Sequence, residues 1–274
     1  MIQGLVAHAA VELRTGIRDR TLLLMTYLFP LGFYGFLGAF MTDLNPGFID
    51  VMIPGMAVFA MLAAAMFGLP APLITARTTG VLRSYRISGV PTAAVFGVPA
   101  ATTVAHLMVV GAIIAMSAPV IFDAPVVGHV PAFALVMLIA AGTHTALGAL
   151  IGVVSSNDRI AVLWSQLLFL PSVLLAGIIV PLEQVPELFQ PLSLLLPASY
   201  AMEAFRGLAL GADTLIAPWT AVGVLVAGAI VAITLTWLCY AWDDHGAGRR
   251  LHPAFGALAL VPYAVPAIVV SVWG

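Results

Sequence analysis

The stretch LAGIIVPLEQVPELFQPLSLLLPASYAMEAFRGLALG, residues 175–211, decides the fold. Both of its ends are apolar. Between them stand Glu183, Glu187, Glu203 and Arg206, with prolines at 181, 186, 191 and 197. The apolar middle, 188–202, is shorter than the roughly 20 residues that a membrane crossing needs. Two of the prolines also interrupt it. The segment therefore reads as a broken, re-entrant hairpin over 183–211, entering and leaving the bilayer by one face. A loop lying on the headgroups is the alternative. Non-helical backbone at membrane depth survives only against protein or water, so the hairpin should cap a helical bundle or line a cavity. Glu203 and Arg206 are three residues apart and meet on one helical face. Pairing and a shallow position lower the cost of a charge in lipid, about 2.5–3.5 kcal/mol at the bilayer centre.

Working outward, the chain is 62% hydrophobic and 8% charged. A soluble domain has about 45–50% and about 25%, so lipid is the solvent for most of this chain. Six apolar runs are long enough to span: about 22–41, 51–75, 92–117, 131–154, 160–181 and 217–241. A seventh, 254–273, is uncharged but contains Pro262 and Pro266. Residues 1–21 differ. Ile2, Leu5, Val6, Ala9, Leu13 and Ile17 share one helical face and Arg14 and Arg18 lie away from it, the pattern of an interfacial amphipathic helix. A signal peptide would carry its positive charge first and a cleavage site after. The expected organisation is an interfacial helix over 1–21, an all-α membrane domain over 22–241, and a linker with an extra span over 242–274.

All ten basic residues are arginine, and lysine is absent. Placing the N-terminus in the cytoplasm puts 1–21, 76–91, 155–159 and 242–253 inside, with every arginine except Arg206, as the positive-inside rule expects. A crossing at 188–202 would worsen that partition. Without lysine the chain has no G-x-x-x-x-G-K-[ST] phosphate loop and no Schiff base. One cysteine, Cys239, excludes an internal disulfide and a cysteine metal cluster. Small residues four apart, Gly148 and Gly152, permit close helix approach.

In this order the features resemble the membrane subunit of ABC-2 type ABC exporters, the group that includes daunorubicin-type drug exporters and O-antigen or teichoic acid exporters. An amphipathic helix comes first, then IPGMAVFAM at 53–61, then the short cytoplasmic helix ARTTGVLRSYRISGVP at 76–91, then the opening stretch. That stretch resembles the family's G-x-x-x-P, P, P-x-x-Y, Glu and R-G signature at Gly177, Pro181, Pro186, Pro197, Tyr200, Glu203, Arg206 and Gly207. The family's acidic E-R-E-x-G pattern is represented here only by Arg77 and Gly80. The resemblance implies a bacterial plasma-membrane permease, dimeric, on two ABC ATPase copies that hold the ATP and Mg. It implies no cofactor on this chain and no nucleic-acid partner. It assigns ATPase coupling to Arg77, Gly80, Val81, Leu82, Arg83, Tyr85 and Arg86, and the outer gate to the hairpin with Glu183 added. Val81, Leu82 and Tyr85 are expected to be an exposed apolar set suited to a partner groove.

Methionines at 52, 56, 61 and 66 suggest an adaptable path for a hydrophobic or amphipathic substrate, with His144 as a further candidate beside Met52 and Met56. A glycan exporter would place aromatic residues along a channel, whereas the aromatic residues here fall mostly near the interfaces. Two other classes compete. An intramembrane enzyme would use His106 or His144, but H-E-x-x-H and G-x-S-x-G are absent, and a lone membrane histidine is usually bonded to a nearby carbonyl or hydroxyl. An ion-coupled secondary transporter needs carboxylates at mid-depth, and every acidic residue here falls in or near a loop.

Overall fold

A computed structural model of the chain describes residues 23–179, 186–242 and 251–266. The amphipathic segment 1–21, Pro181 and Glu183 of the hairpin, and most of the linker 242–253 lie outside the described residues. Six helices are long and apolar enough to cross a membrane. They are α1 (Leu24–Leu44), α2 (Phe48–Thr78), α4 (Thr92–Phe122), α5 (Val130–Val154), α6 (Asp158–Leu175) and α8 (Pro218–Cys239). Between α2 and α4 lies the short α3 (Val81–Ile87). Between α6 and α8 lies α7 (Pro197–Ala204). A tail element, α9, spans Pro253–Pro266 and is shorter than the six.

The helices alternate in direction. The end that carries α3 is here called basal and the opposite end apical. Arg77, Arg83, Arg86 and Arg159 sit at the basal end and Arg206 at the apical end. Each reversal has a local cause. Asn157 caps α6, its side-chain oxygen accepting from the Ile160 N–H at 3.1 Å, which satisfies one of the four free donors of a helix start. Pro131 and Pro218 open α5 and α8 at positions where no N–H is needed. Gly80 and Gly89 flank α3 with φ of 78° and 71°, a left-handed region that side-chain-bearing residues avoid.

α2 and α5 form the centre. Within their most apolar windows 67% and 72% of residues are buried, against 28% for α1 and for α6. The contact is close because Gly148 of α5 stands against the backbone carbonyl of Ala65, leaving no room for a Cβ. Gly152 similarly meets Pro70 and Leu73. Here α2 loosens into a π-turn, Ala64–Gly68, and the Ser165 hydroxyl of α6 donates to the Met66 carbonyl at 2.6 Å. Carbonyls freed in a membrane helix need such partners. The Thr143 hydroxyl likewise donates to Leu225 of α8 at 3.0 Å.

A second, smaller apolar cluster sits at the basal end. Leu82 of α3, Val95 of α4, Val153 of α5, Cys239 at the end of α8 and Tyr240 just after it are buried together. The tail starts here, with the Leu251 N–H donating to Leu238 at 2.9 Å. It then climbs along α8 until Tyr263, fully buried, rests on Gly228. The expected seventh span, 254–273, runs past the described part of this tail.

Candidate functional site

At the apical end, α6 stops at Leu175 and Gly177 turns the chain with φ 82°. The Ile178 carbonyl packs against Gly55 of α2. After the undescribed 180–185, Pro186 is exposed, a 3-10 turn covers Glu187–Phe189 and a helical turn covers Gln190–Ser193. α7 then returns along the bundle, opened by Pro197 and packed on α2, α5, α6 and α8. It is buried along its whole length, so its polar groups must be satisfied by protein. The Tyr200 hydroxyl donates to the Leu194 carbonyl at 2.7 Å and also lies 3.2 Å from the Tyr263 carbonyl. The Ser199 hydroxyl donates to Ser193 at 2.6 Å.

Glu203 is 1% exposed. One of its oxygens accepts the Ile216 N–H at 3.0 Å, pinning the loop that leads into α8. The other lies 3.6 Å from the Arg206 guanidinium. Arg206 itself sits in a π-turn, Phe205–Ala209, that continues α7. The expected pair therefore forms, and the structure adds Ile216 as a third member. Glu203 lies near a loop, as expected, but is enclosed by protein. Its apical partners belong to a longer seam. The Ala209 carbonyl accepts from the His129 N–H at 3.1 Å, and Phe205 packs on Phe133 with ring centroids 5.2 Å apart.

At the basal end the expected coupling helix 76–91 divides. Residues 76–78 finish α2, and only Val81–Ile87 form the separate α3. The seven residues assigned to coupling do different things. Arg77 is buried. Its guanidinium donates to the Val153 carbonyl at 3.1 Å and to the Ser155 carbonyl at 2.6 Å, so it caps the last turn of α5. A cation on free C-terminal carbonyls stabilises a helix by about 0.3–1 kcal/mol, more when partly buried. Leu82 is 3% exposed and Tyr85 packs beside it in the basal cluster. The expected exposed set of Val81, Leu82 and Tyr85 is thus corrected. Helical spacing had placed Leu82 and Tyr85 on one face, and that face turns to the bundle. Val81, Arg83, Ser84, Arg86 and Ile87 point outward, with Ile87 81% exposed. Gly80 supplies the turn.

The suggested substrate path differs as well. Met52, Met56 and His144 have no accessible surface, and the two methionines belong to the main core. The methionine end of Met52 fills the space beside Gly38 of α1. α2 is central, so its apolar residues pack on protein. The His144 ring bonds to the Ala140 carbonyl at 2.8 Å through Nδ1. His106 meets the Tyr27 hydroxyl at 2.7 Å. In each ring the other nitrogen, Nε2, is buried without a hydrogen-bond partner. Among the described residues no three His, Cys, Asp or Glu side chains gather to hold a metal.

The sequence places most of the aromatic residues near the interfaces. The structure instead builds an aromatic run mid-bundle across α1, α2 and α6. Phe33 stacks on Phe59 at 4.3 Å, Phe29 and Phe169 approach Phe59 at 5.5 and 5.6 Å, and Phe67 meets Phe169 at 5.0 Å. Phe29 keeps 39% of its surface exposed. Only the fold brings these rings together from three distant segments.

A family model described as ABC-2 type transporter matches residues 5–210. No curated protein and no solved structure matches the chain.

Proposed function

The chain belongs to the ABC-2 type transporter family, and on that premise we propose that it is the permease of an ATP-driven exporter for hydrophobic or amphipathic molecules. The family pairs with an ABC ATPase, and this chain carries no lysine for a phosphate loop of its own. The observation that carries the reading is α3. It hangs at the end where arginines gather and turns Val81, Arg83, Arg86 and Ile87 outward, a short amphipathic element suited to a partner groove. That end is the cytoplasmic one in this reading, with the N-terminus inside a bacterial plasma membrane. Two copies of the permease on two ATPase subunits form the working unit.

The segment 186–211 acts as the outer gate. Its depth supports a re-entrant course. Tyr200 meets Tyr263, which rests on Gly228, and Gly228 lies about 15 Å along α8 from its apical start at Pro218. Substrate crosses between the two permeases; aromatic residues along the route would suit a glycan as well, so the preference for an apolar substrate rests on the apolar composition of the spans. Met52, Met56 and His144 have no place in that route while the core stays packed.

The test is purification from native membranes in mild detergent, with identification of the co-purifying chains. A stoichiometric ATPase whose activity disappears on mutating its own phosphate-loop lysine is the expected result. A clean homo-oligomer without ATPase overturns the reading.

A further inference from the structure

We propose that Arg77 is a positioning residue that ties the ATPase-facing end to α5, and that α5 carries movement to the apical hairpin. The inference rests on α3 being the docking element. α3 has only seven residues, too few to transmit force unless its root is fixed to something long. The root is Arg77. Its planar fork bonds two carbonyls at the end of α5, those of Val153 and Ser155 on either side of Val154, a geometry that arginine provides and a single ammonium does not.

α5 is suited to act as a rod. It runs Val130–Val154 with its one proline in the first turn, whereas α2, α4 and α6 carry prolines inside, where helices bend. Its length is about 37 Å. It is also the most enclosed of the spans. At its far end the His129 N–H bonds to Ala209 and Phe133 packs on Phe205. Both partners lie in the π-turn that holds Arg206. One helix is therefore bonded at one end to the root of α3 and at the other to the hairpin. Side-chain or backbone hydrogen bonds fix both joints, so a displacement at one end has a direct mechanical route to the other.

The experiment uses the whole complex with its ATPase in lipid nanodiscs. Cys239→Ala leaves a single thiol after Leu192→Cys, a half-exposed hairpin position. Labelling by a membrane-impermeant maleimide is timed without nucleotide and with ATP plus vanadate. In the Arg77 parent the rate is expected to change with nucleotide. In Arg77→Gln that difference is lost, while the ATPase stays bound and still hydrolyses ATP. Arg77→Lys recovers part of it. Phe133→Ala, at the other joint, loses the difference too, and adding Arg77→Gln loses nothing more. A structural role of Arg77 would lower yield and thermal stability without selectively abolishing the nucleotide response. A full response in Arg77→Gln overturns the proposal, as does a parent with no response. Loss of the ATPase from Arg77→Gln makes Arg77 a docking residue instead. A parent that never binds ATPase sinks the proposed function itself.

Discussion

The two ends of the bundle handle charge in opposite ways. At the apical end a carboxylate is taken inside, and Glu203 is held by Arg206 and the Ile216 N–H. At the basal end the buried ion is a cation, Arg77, held by the carbonyls of Val153 and Ser155. The first arrangement locks a loop to a helix within one short segment. The second joins two segments 76 and 78 residues apart. The apical element is closed over by protein, whereas the basal helix α3 leaves most of its side chains uncovered. In the proposed function this contrast fits a gate that is sealed at rest and a docking element that stays available. The comparison can be broken by substitutions that invert burial at either end.

The largest effect is expected at Leu82. Leu82→Asp places an unpaired charge in the basal cluster, and we expect a loss of more than about 4 kcal/mol, enough to prevent folding. Size-exclusion of the detergent-solubilised protein reads this directly. A folded, monodisperse Leu82→Asp protein would falsify the burial of α3's inner face. Next comes Glu203→Ala. Removing one partner of a buried pair costs about 3–5 kcal/mol, and the lower part of that range applies because Arg206 keeps 14% exposure. The melting temperature should fall clearly. Arg206→Ala should instead leave assembly intact and lower transport, since Glu203 keeps its bond to Ile216. Equal melting curves for the two variants would mean that the apical site is no tighter than a surface pair.

Gly148→Ala tests the scaffold that joins the two ends. Its new methyl would sit on the Ala65 carbonyl, and overpacking of this kind costs about 1–3 kcal/mol. α5 would be pushed off α2, so melting temperature and nucleotide-dependent hairpin labelling should drop together. Gly142→Ala, where a Cβ meets nothing within 4 Å, is the matched control. Parallel behaviour of the two glycines would remove the close α2–α5 contact from the account.

Much of this was legible beforehand, and the misses share a cause. The six spans follow from composition, because twenty apolar residues have no other place to go. The Glu203–Arg206 pair follows from helical spacing, because both residues lie in one local segment. Leu82 was misread because spacing tells which residues share a face, and nothing local tells which way the face points. Met52 and Met56 failed for the same reason. Whether α2 is central or peripheral is set by Gly148 and its neighbours far along the chain. Ile216 is bonded to Glu203 through its backbone N–H, which carries no sequence signature. Arg77 looked like its neighbours Arg83 and Arg86, yet its partners lie in another helix.

The smallest effect on stability is expected at Ile87, and it bears most directly on the basal end. Ile87 is 81% exposed beside Arg83 and Arg86, so Ile87→Ala should change folding stability by less than about 0.5 kcal/mol. If α3 docks the ATPase, Ile87 is an exposed apolar side chain able to serve as an anchor, since interfaces place such residues at their centre with charges around them. Ile87→Ala should therefore weaken ATPase association by about 1–2 kcal/mol, roughly tenfold, with an unchanged melting curve. Arg83→Ala should act chiefly on the rate of association and on its salt dependence. If Ile87→Ala binds normally and Arg83→Ala does not, the contact is electrostatic and the outward apolar residues of α3 face lipid headgroups. If both bind normally, α3 is not where the ATPase docks, and the basal end owes its exposed face to something other than coupling.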